Sequence, residues 1–450
     1  MNLKNIHTIY FIGIGGIGMS ALARYFKFNN KNVAGYDKKK TEITNALEAL
    51  GIQVSTNDNV AEIPAKYLNK ENTIIIYTPA ISSSHTELTY FRENDFKIYK
   101  RAEVLGLITK DTFCLAVAGT HGKTTTSSIL GHLLAECEVD VTAFLGGIAE
   151  NYNSNLILKG TEITVVEADE FDRSFLQLSP DIACITSTDA DHLDIYGEKE
   201  ALQDSFVEFT KRIKPNGTLF VHEDIELDGI TYGFKETSDY HIKNIRIQNG
   251  SYVFDIVTPT AIVIAIQFHL PGRHNLLNGL VAFAMAEKIG TPTDCLAKAL
   301  GTFKGVKRRF SYQIKTDDFV FVDDYAHHPT EINALHQAVR EMYPTKKVTI
   351  IFQPHLFSRT KDFADEFAES LAQFDEIILL EIYPAREKPL EGITSSWLLN
   401  KIKNDQKQLL TKENLINHVA NIKTDILLTV GAGDIGEEVV KIKNLYTVGN

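Results

Sequence analysis

The chain is short of three things, and each shortage excludes a class of function. Its four cysteines (Cys114, Cys137, Cys184, Cys295) stand singly, without the paired spacing of a zinc site or a disulfide framework. They read as reduced, mostly core thiols of a cytosolic protein. Positive charge is in deficit: 46 Lys and Arg against 58 Asp and Glu leave a formal −12. That balance argues against nucleic acid as a partner, and it means an anionic substrate needs local cations or a metal. Long apolar runs are missing as well. Ala261 to Phe268 is too short to span a bilayer, and the first twenty residues lack a basic n-region and a cleavage site. A soluble, cytoplasmic protein with no membrane insertion is expected.

What is present is an ordinary globular composition, 44% hydrophobic and 23% charged over 450 residues, long enough for about three domains. Strand-like and helical stretches alternate from the start. His7 to Ile12, Asn32 to Tyr36 and Thr73 to Tyr77 read as buried strands, with helices over Ser20 to Phe28 and Thr41 to Leu50. A second series opens at Phe113 and continues through Thr161 to Val166, Ile182 to Thr186 and Gly217 to His222, with a helix from Glu200 to Arg212. Tyr240 to Gln267 changes to alternating, antiparallel-looking strands around the turn Asn249-Gly250. A third series begins near Phe319 and runs through Lys347 to Phe352, Glu376 to Glu381 and Asp425 to Val430. Such βαβ alternation predicts an α/β protein with parallel sheets. The predicted domains are 1–107, 108–303 and 304–450.

The most informative segment is Phe113 to Thr126. An apolar strand turns at Gly119-Thr120-His121 and delivers Gly122-Lys123-Thr124-Thr125 into a helix. Strand, glycine turn and helix N-terminus aim backbone N–H groups at one point, which suits a phosphate chain. Lys123 adds a point charge for the β- and γ-phosphates, and Thr124 a hydroxyl for Mg²⁺. The strict P-loop pattern asks for glycine where Val117 or Ala118 stands, so this is a variant of it.

Other groups of residues fit around that site. Gly13, Gly15, Gly16 and Gly18 follow the first strand, and Asp37 ends the second, which fits a diphosphate site for NAD or a nucleotide-diphosphate sugar. Thr78 and Arg101 are candidates for the same pocket, or else a plain turn and a solvated arginine. Glu167, the first of an acidic group after its strand, is the choice for Mg²⁺, with His192 the second metal ligand or a phosphate contact. Asn275, at a helix start, either presents an amide to adenine or caps the helix. Arg308 and Arg309 fit a clamp on a transferring phosphate or a surface patch. Asp323-Asp324-Tyr325-Ala326-His327-His328 and Gln353-Pro354-His355 to Arg359 both follow strands. His327 and His355 would orient an amine there, and Arg359 would hold a carboxylate. Gly431 to Gly436 reads as one more tight turn.

Taken in order, these segments resemble the Mur ligases over essentially the whole chain. The matching pieces are Gly13 to Met19, Gly119 to Thr125, Glu167 to Glu170, Asp191-His192, Gly272 to Asn275, Arg308 to Phe310, Asp324 to Pro329 and Gln353 to Thr360. The family's P-loop also departs from the strict spacing. The resemblance implies a UDP-binding Rossmann-like domain, a central ATPase domain and a C-terminal Rossmann-like domain for the amino acid. It points most closely to members that join L-alanine to UDP-N-acetylmuramate, using ATP and Mg²⁺ (or Mn²⁺), as a monomer or homodimer. It implies that Lys123, Thr124, Glu167 and His192 hold the γ-phosphate and metals, and that Asn275 and Arg308 or Arg309 contact ATP. Asp324 would lie near the ribose, and Tyr325, His327, His355 and Arg359 would bind alanine. Several relatives carry a carbamylated lysine after the Asp-His motif; Gln203-Asp204-Ser205 occupies that place here, and no carbamate is expected.

The chemistry agrees with the residues. A carboxylate is a poor electrophile, so amide formation first converts it to an acyl phosphate with Lys123, an arginine and a metal spreading the charge. The amine then attacks, with His327 as base. A sister ligase adding a preformed peptide shares the central motifs. A dinucleotide-dependent oxidoreductase would leave the P-loop, Glu167 and the histidine loops without a role.

Overall fold

A computed structural model describes residues 6–189, 199–385 and 387–447. Three sheets organise the chain, one for each series of apolar strands. The first has β1 (Thr8–Ile12), β2 (Asn32–Tyr36), β3 (Gln53–Ser55), β4 (Thr73–Tyr77) and β5 (Lys97–Lys100) in the order β3-β2-β1-β4-β5. All its pairings are parallel. Ile74, Ile75 and Ile76 are fully buried, as a strand covered on both faces requires. The order reverses between β1 and β4, so a crevice opens at their C-terminal ends. The glycine turn 13–18 and Thr78 follow those two strands. The first helix, Ile17–Phe28, starts earlier than its apolar spacing indicated.

The second sheet has ten strands. They are β6 (Phe113–Ala118), β7 (Val141–Ala149), β8 (Ser154–Leu158), β9 (Ile163–Glu167), β10 (Ile182–Ile185), β11 (Thr218–His222), β12 (Ile230–Gly233), β13 (Tyr240–Gln248), β14 (Ser251–Val257) and β15 (Ile262–Phe268). Their order is β15-β14-β13-β12-β11-β10-β6-β9-β7-β8. β6 lies parallel between β9 and β10. The residues that end β9 and follow β10 therefore flank the turn after β6. β13 and β14 are neighbours joined at Asn249-Gly250, where φ is 53° and 68°. Two positive φ values are what a type I′ hairpin turn demands.

The third sheet contains β16 (Ser311–Lys315), β17 (Val320–Asp324), β18 (Val348–Phe352), β19 (Glu376–Leu379), β20 (Lys407–Leu409) and β21 (Ile426–Val430), ordered β16-β17-β21-β18-β19-β20. Only β16 pairs antiparallel. β17, β21 and β18 are adjacent, so the loops after Asp324, Val430 and Phe352 emerge side by side.

The chain forms two compact units. One comprises Met1–Ile245, Phe254–Gln267 and Leu277–Phe303; the other Arg246–Val253, Phe268–Leu276 and Lys304–Asn450. Among the described residues no helix is long and apolar enough to cross a membrane.

One expectation is corrected. Cys137 and Cys295 are not reduced thiols: they form a disulfide, with Cα atoms 5.9 Å apart and a sequence separation of 158. The helices Lys123–Glu136 and Thr293–Thr302 bring them together, and single-residue spacing carries no trace of such a pairing. Cys114 and Cys184 are buried free thiols, and burial pushes the Cys114 thiol up to about 12.

Candidate active site

The phosphate turn is built by its neighbours. Gly119 has φ of 128°, and a Cβ there would lie 2.1 Å from Thr186 Oγ1 and 2.8 Å from the Ser187 nitrogen. Only glycine fits. Ser187 Oγ accepts the His121 N–H at 2.9 Å and lies 2.7 Å from Thr120 Oγ1. His121 Nε2 is 3.5 Å from Asp189. Gly122 caps the helix Lys123–Glu136, against Asn278, whose Oδ1 accepts from Thr126 at 3.1 Å. The N–H groups of the turn thus open a helix, an arrangement that favours anions.

Lys123 folds back onto this turn. Its Nζ donates to Gly119 O at 2.6 Å and Thr120 O at 3.3 Å. It also donates to Oε1 of the fully buried Glu170 at 3.0 Å and lies 2.8 Å from Oε2 in the same ion pair. Burial alone pulls a lysine down, but Glu170, then Asp169 and Glu167, outweigh it and hold this ammonium above its ordinary value. Thr124 Oγ1 lies 3.0 Å from both oxygens of Glu167. Glu167 is the last residue of β9, not the first beyond it. A hydroxyl against a carboxylate is a hard-oxygen pair of the kind Mg²⁺ takes. His192, with Asp191, lies outside the described residues.

The first glycine turn is gathered as its sequence suggested. Gly13 and Ile14 donate to Tyr36 O at 2.8 and 2.9 Å. Gly16 caps the helix Ile17–Phe28, and a Cβ on Gly13 would lie 2.8 Å from Thr78 Cγ2. A Cβ on Gly18 would lie 2.7 Å from Arg101 Nη1, and Arg101 Nη2 is 3.9 Å from Asp169. Gly13, Gly15, Gly16, Gly18, Thr78 and Arg101 therefore share one crevice. Asp37, grouped with this turn by the sequence, has Oδ2 accepting the Gly15 N–H at 2.7 Å.

The other unit holds the remaining candidates. Asn275, in the first turn of the helix Arg273–Lys288, is buried and donates to Pro271 O at 2.7 Å. Arg308 donates to Asp323 at 3.2 Å and to the carbonyls of Gly431 and Gly433 at 2.5 and 3.5 Å. Arg309 reaches Glu331 at 3.9 Å, and both guanidinium groups lie over the Tyr325 ring, 5.0 and 5.1 Å from its centroid. Asp324 spends both oxygens on backbone, accepting from Phe310 and Ala326 at 2.7 Å each, and burial raises it to about 6.

The two histidine loops converge. The His327 and His355 rings are 6.0 Å apart. His355 stacks on Tyr383 and its Nδ1 is 3.5 Å from Arg359 Nη1. Arg359 itself is 7% exposed. Between them Leu356 holds φ of 72°, a costly conformation for leucine. Gln353 bonds Asp434 and Ile435 at 2.8 and 2.9 Å, and Lys412 pairs with Asp434. The 431–436 turn is thus tied to β18 and supplies Arg308 with carbonyls. The sequence reading gave no role to Glu170, Asn278, Glu331 or Tyr383. Glu170 stood within the acidic motif and Glu331 at a spacing of four from His327 at a helix start; Asn278 and Tyr383 left no signal.

Comparison with known proteins shows the family. Three family models match: the Mur ligase family catalytic domain over 8–112, the Mur ligase middle domain over 117–286, and the Mur ligase glutamate ligase domain over 308–433. A UDP-N-acetylmuramate--L-alanine ligase of Flavobacterium psychrophilum is 61% identical over 443 residues, 98% of this chain and 99% of the relative. The ligase of that name from Cytophaga hutchinsonii is 48% identical, across 99% of this chain and 98% of its own. The crystal structure of the UDP-N-acetylmuramate-alanine ligase MurC from Thermotoga maritima aligns with a TM-score of 0.83 at 27% identity, covering 98% of this chain and 100% of that one.

Proposed function

The chain belongs to the Mur ligase family, and from that premise we propose that it joins L-alanine to the carboxylate of UDP-N-acetylmuramate at the expense of ATP. The step belongs to the making of peptidoglycan precursors. The observation that carries this reading is 61% identity along almost the whole length to a ligase of that name. We place the domain boundaries near 107 and 303 and the enzyme in the cytoplasm, as a monomer or homodimer.

In this reading ATP lies with its phosphates on Gly119 to Thr125, and Lys123 exchanges Glu170 for the γ-phosphate. Thr124 and Glu167 would hold Mg²⁺ or Mn²⁺, with His192 as a further ligand; the ion would supply charge neutralisation at the phosphates. The crevice of Gly13, Gly15, Gly16, Gly18, Thr78 and Arg101 takes the UDP diphosphate, and Asp37 the nucleoside side of it. The sugar's carboxylate oxygen attacks the γ-phosphorus, the bond to ADP breaks, and an acyl phosphate forms. Of the two arginines, Arg309 is the better clamp on the transferring phosphate, because Arg308 is committed to Asp323, Gly431 and Gly433. Asn275 faces adenine and Asp324 the ribose side. Tyr325, His355 and Arg359 hold alanine, whose amine attacks the acyl carbon. Phosphate leaves and His327 takes the amine proton.

The test is phosphate release from ATP, Mg²⁺ and UDP-N-acetylmuramate with each amino acid supplied singly. Release dependent on L-alanine is expected. Release only with a tripeptide would move the assignment to a peptide-adding ligase, and silence with both would overturn it.

A further inference from the structure

The tandem His327-His328 leaves open which ring is the base and in which form, and its surroundings decide both. His328 is the N-cap of the helix Pro329–Met342; its Nδ1 accepts the Thr330 N–H at 3.4 Å, a structural task. His327 Nδ1 meets two oxygens, Tyr325 O at 2.9 Å and Glu331 Oε2 at 3.3 Å. A carbonyl and a carboxylate can only accept, so the nitrogen facing them must carry the proton. The lone pair then belongs to Nε2.

Glu331 does more than face the ring. Its Oε2 also accepts the His327 backbone N–H at 2.9 Å, and its Oε1 lies 3.9 Å from Arg309 Nη1. It sits in the first turn of its helix, where the dipole favours a charged carboxylate. One side chain therefore fixes the main chain and the ring of His327 and touches the arginine assigned to the phosphate.

We propose that Glu331 is a positioning residue that holds His327 in its Nδ1–H tautomer, so that Nε2 takes the proton of the attacking amine. The step is a single proton transfer from the amine nitrogen to Nε2 as the carbon–nitrogen bond forms and the acyl–phosphate bond breaks. The carboxylate of Glu331 offsets the positive imidazolium that results. This inference rests on the ligase reading above.

Two measurements test it on the whole protein. Nitrogen-15 spectra of the histidine side chains, with His327→Gln to assign the signal, should show His327 protonated at Nδ1; an Nε2–H form would overturn the proposal. In the coupled reaction Glu331→Ala should lower kcat roughly 10²-fold while the KM for ATP stays within about twofold, and Glu331→Gln, which keeps an acceptor but no charge, should fall between. A wild-type kcat in Glu331→Ala, or a lowered Tm with tautomer and kcat unchanged, would make Glu331 merely structural and sink the idea. Failure of the unmutated protein to release phosphate with L-alanine would instead strike the ligase reading, and the tautomer would still be read directly from the spectra.

Discussion

The molecule builds the strand, glycine turn and helix twice in its first unit, and the two copies differ in the company they keep. After β1, the Gly15 N–H is taken by Asp37 at 2.7 Å, and the helix that follows opens with the uncharged Ile17. After β6, the helix opens with Lys123, whose ammonium lies against Glu170. Each domain also buries a glutamate completely, Glu87 in the first and Glu170 in the second. Glu170 has a lysine for company. Glu87 has the Tyr10 hydroxyl at 3.0 Å and, among the described residues, no cation, and burial raises it to about 7. On the proposed reading the same backbone device would serve two ends. The first turn, with Arg101 beside it, would seat a diphosphate that only binds, whereas a phosphate that is transferred needs a mobile charge aimed at it.

Lys123 is where the two turns should differ most. Lys123→Ala should abolish turnover, by about 10³-fold or more, and leave binding of the UDP-sugar intact by calorimetry. A loss of both would mean the turns are not independent.

Glu87 comes next. Its folded-state value of about 7 exceeds the ordinary 4.5, so the folded protein binds the extra proton between those values. Its contribution is therefore most favourable below pH 4.5, declines as pH rises through the window, and is lost above 7. The span corresponds to about 3 kcal/mol at most. Glu87→Gln should flatten stability across pH 5 to 7 in denaturant titrations. An unchanged slope would show that Glu87 is charged throughout.

A smaller effect is expected at Glu170→Gln. Removing the internal anion that occupies Lys123 should tighten ATP binding about tenfold, near 1.4 kcal/mol. Unaltered affinity would rule out exchange between Glu170 and the γ-phosphate. The smallest is Asp37→Ala, which frees the Gly15 N–H at a cost of about 1 kcal/mol in stability. Its KM for ATP should match the parent enzyme; a raised value would tie the first turn to the second.

Much of this was readable beforehand, for physical reasons. The buried parallel strands are near-continuous apolar runs, so β1, β2, β4, β6 and β18 declare themselves. The short edge strands β3, β5 and β20 do not, because half-exposed residues carry no strong period. Glycine followed by Lys-Thr announces a phosphate turn, since few other purposes need that order. Glu170 stood inside the acidic motif without a role, because its value comes from an ammonium 47 positions away.

The sequence by itself determined the α/β class, the order of the turns and the chemistry of each loop, because those depend on residues that are near neighbours along the chain. Only the tertiary structure decided which partners the reactive groups meet. It joined Cys137 to Cys295, committed Arg308 to the carbonyls of Gly431 and Gly433, and set the Lys123 ammonium against Glu170. Such pairings follow from which strand ends and helices lie side by side, and that arrangement is a property of the packed fold, not of any local run of residues.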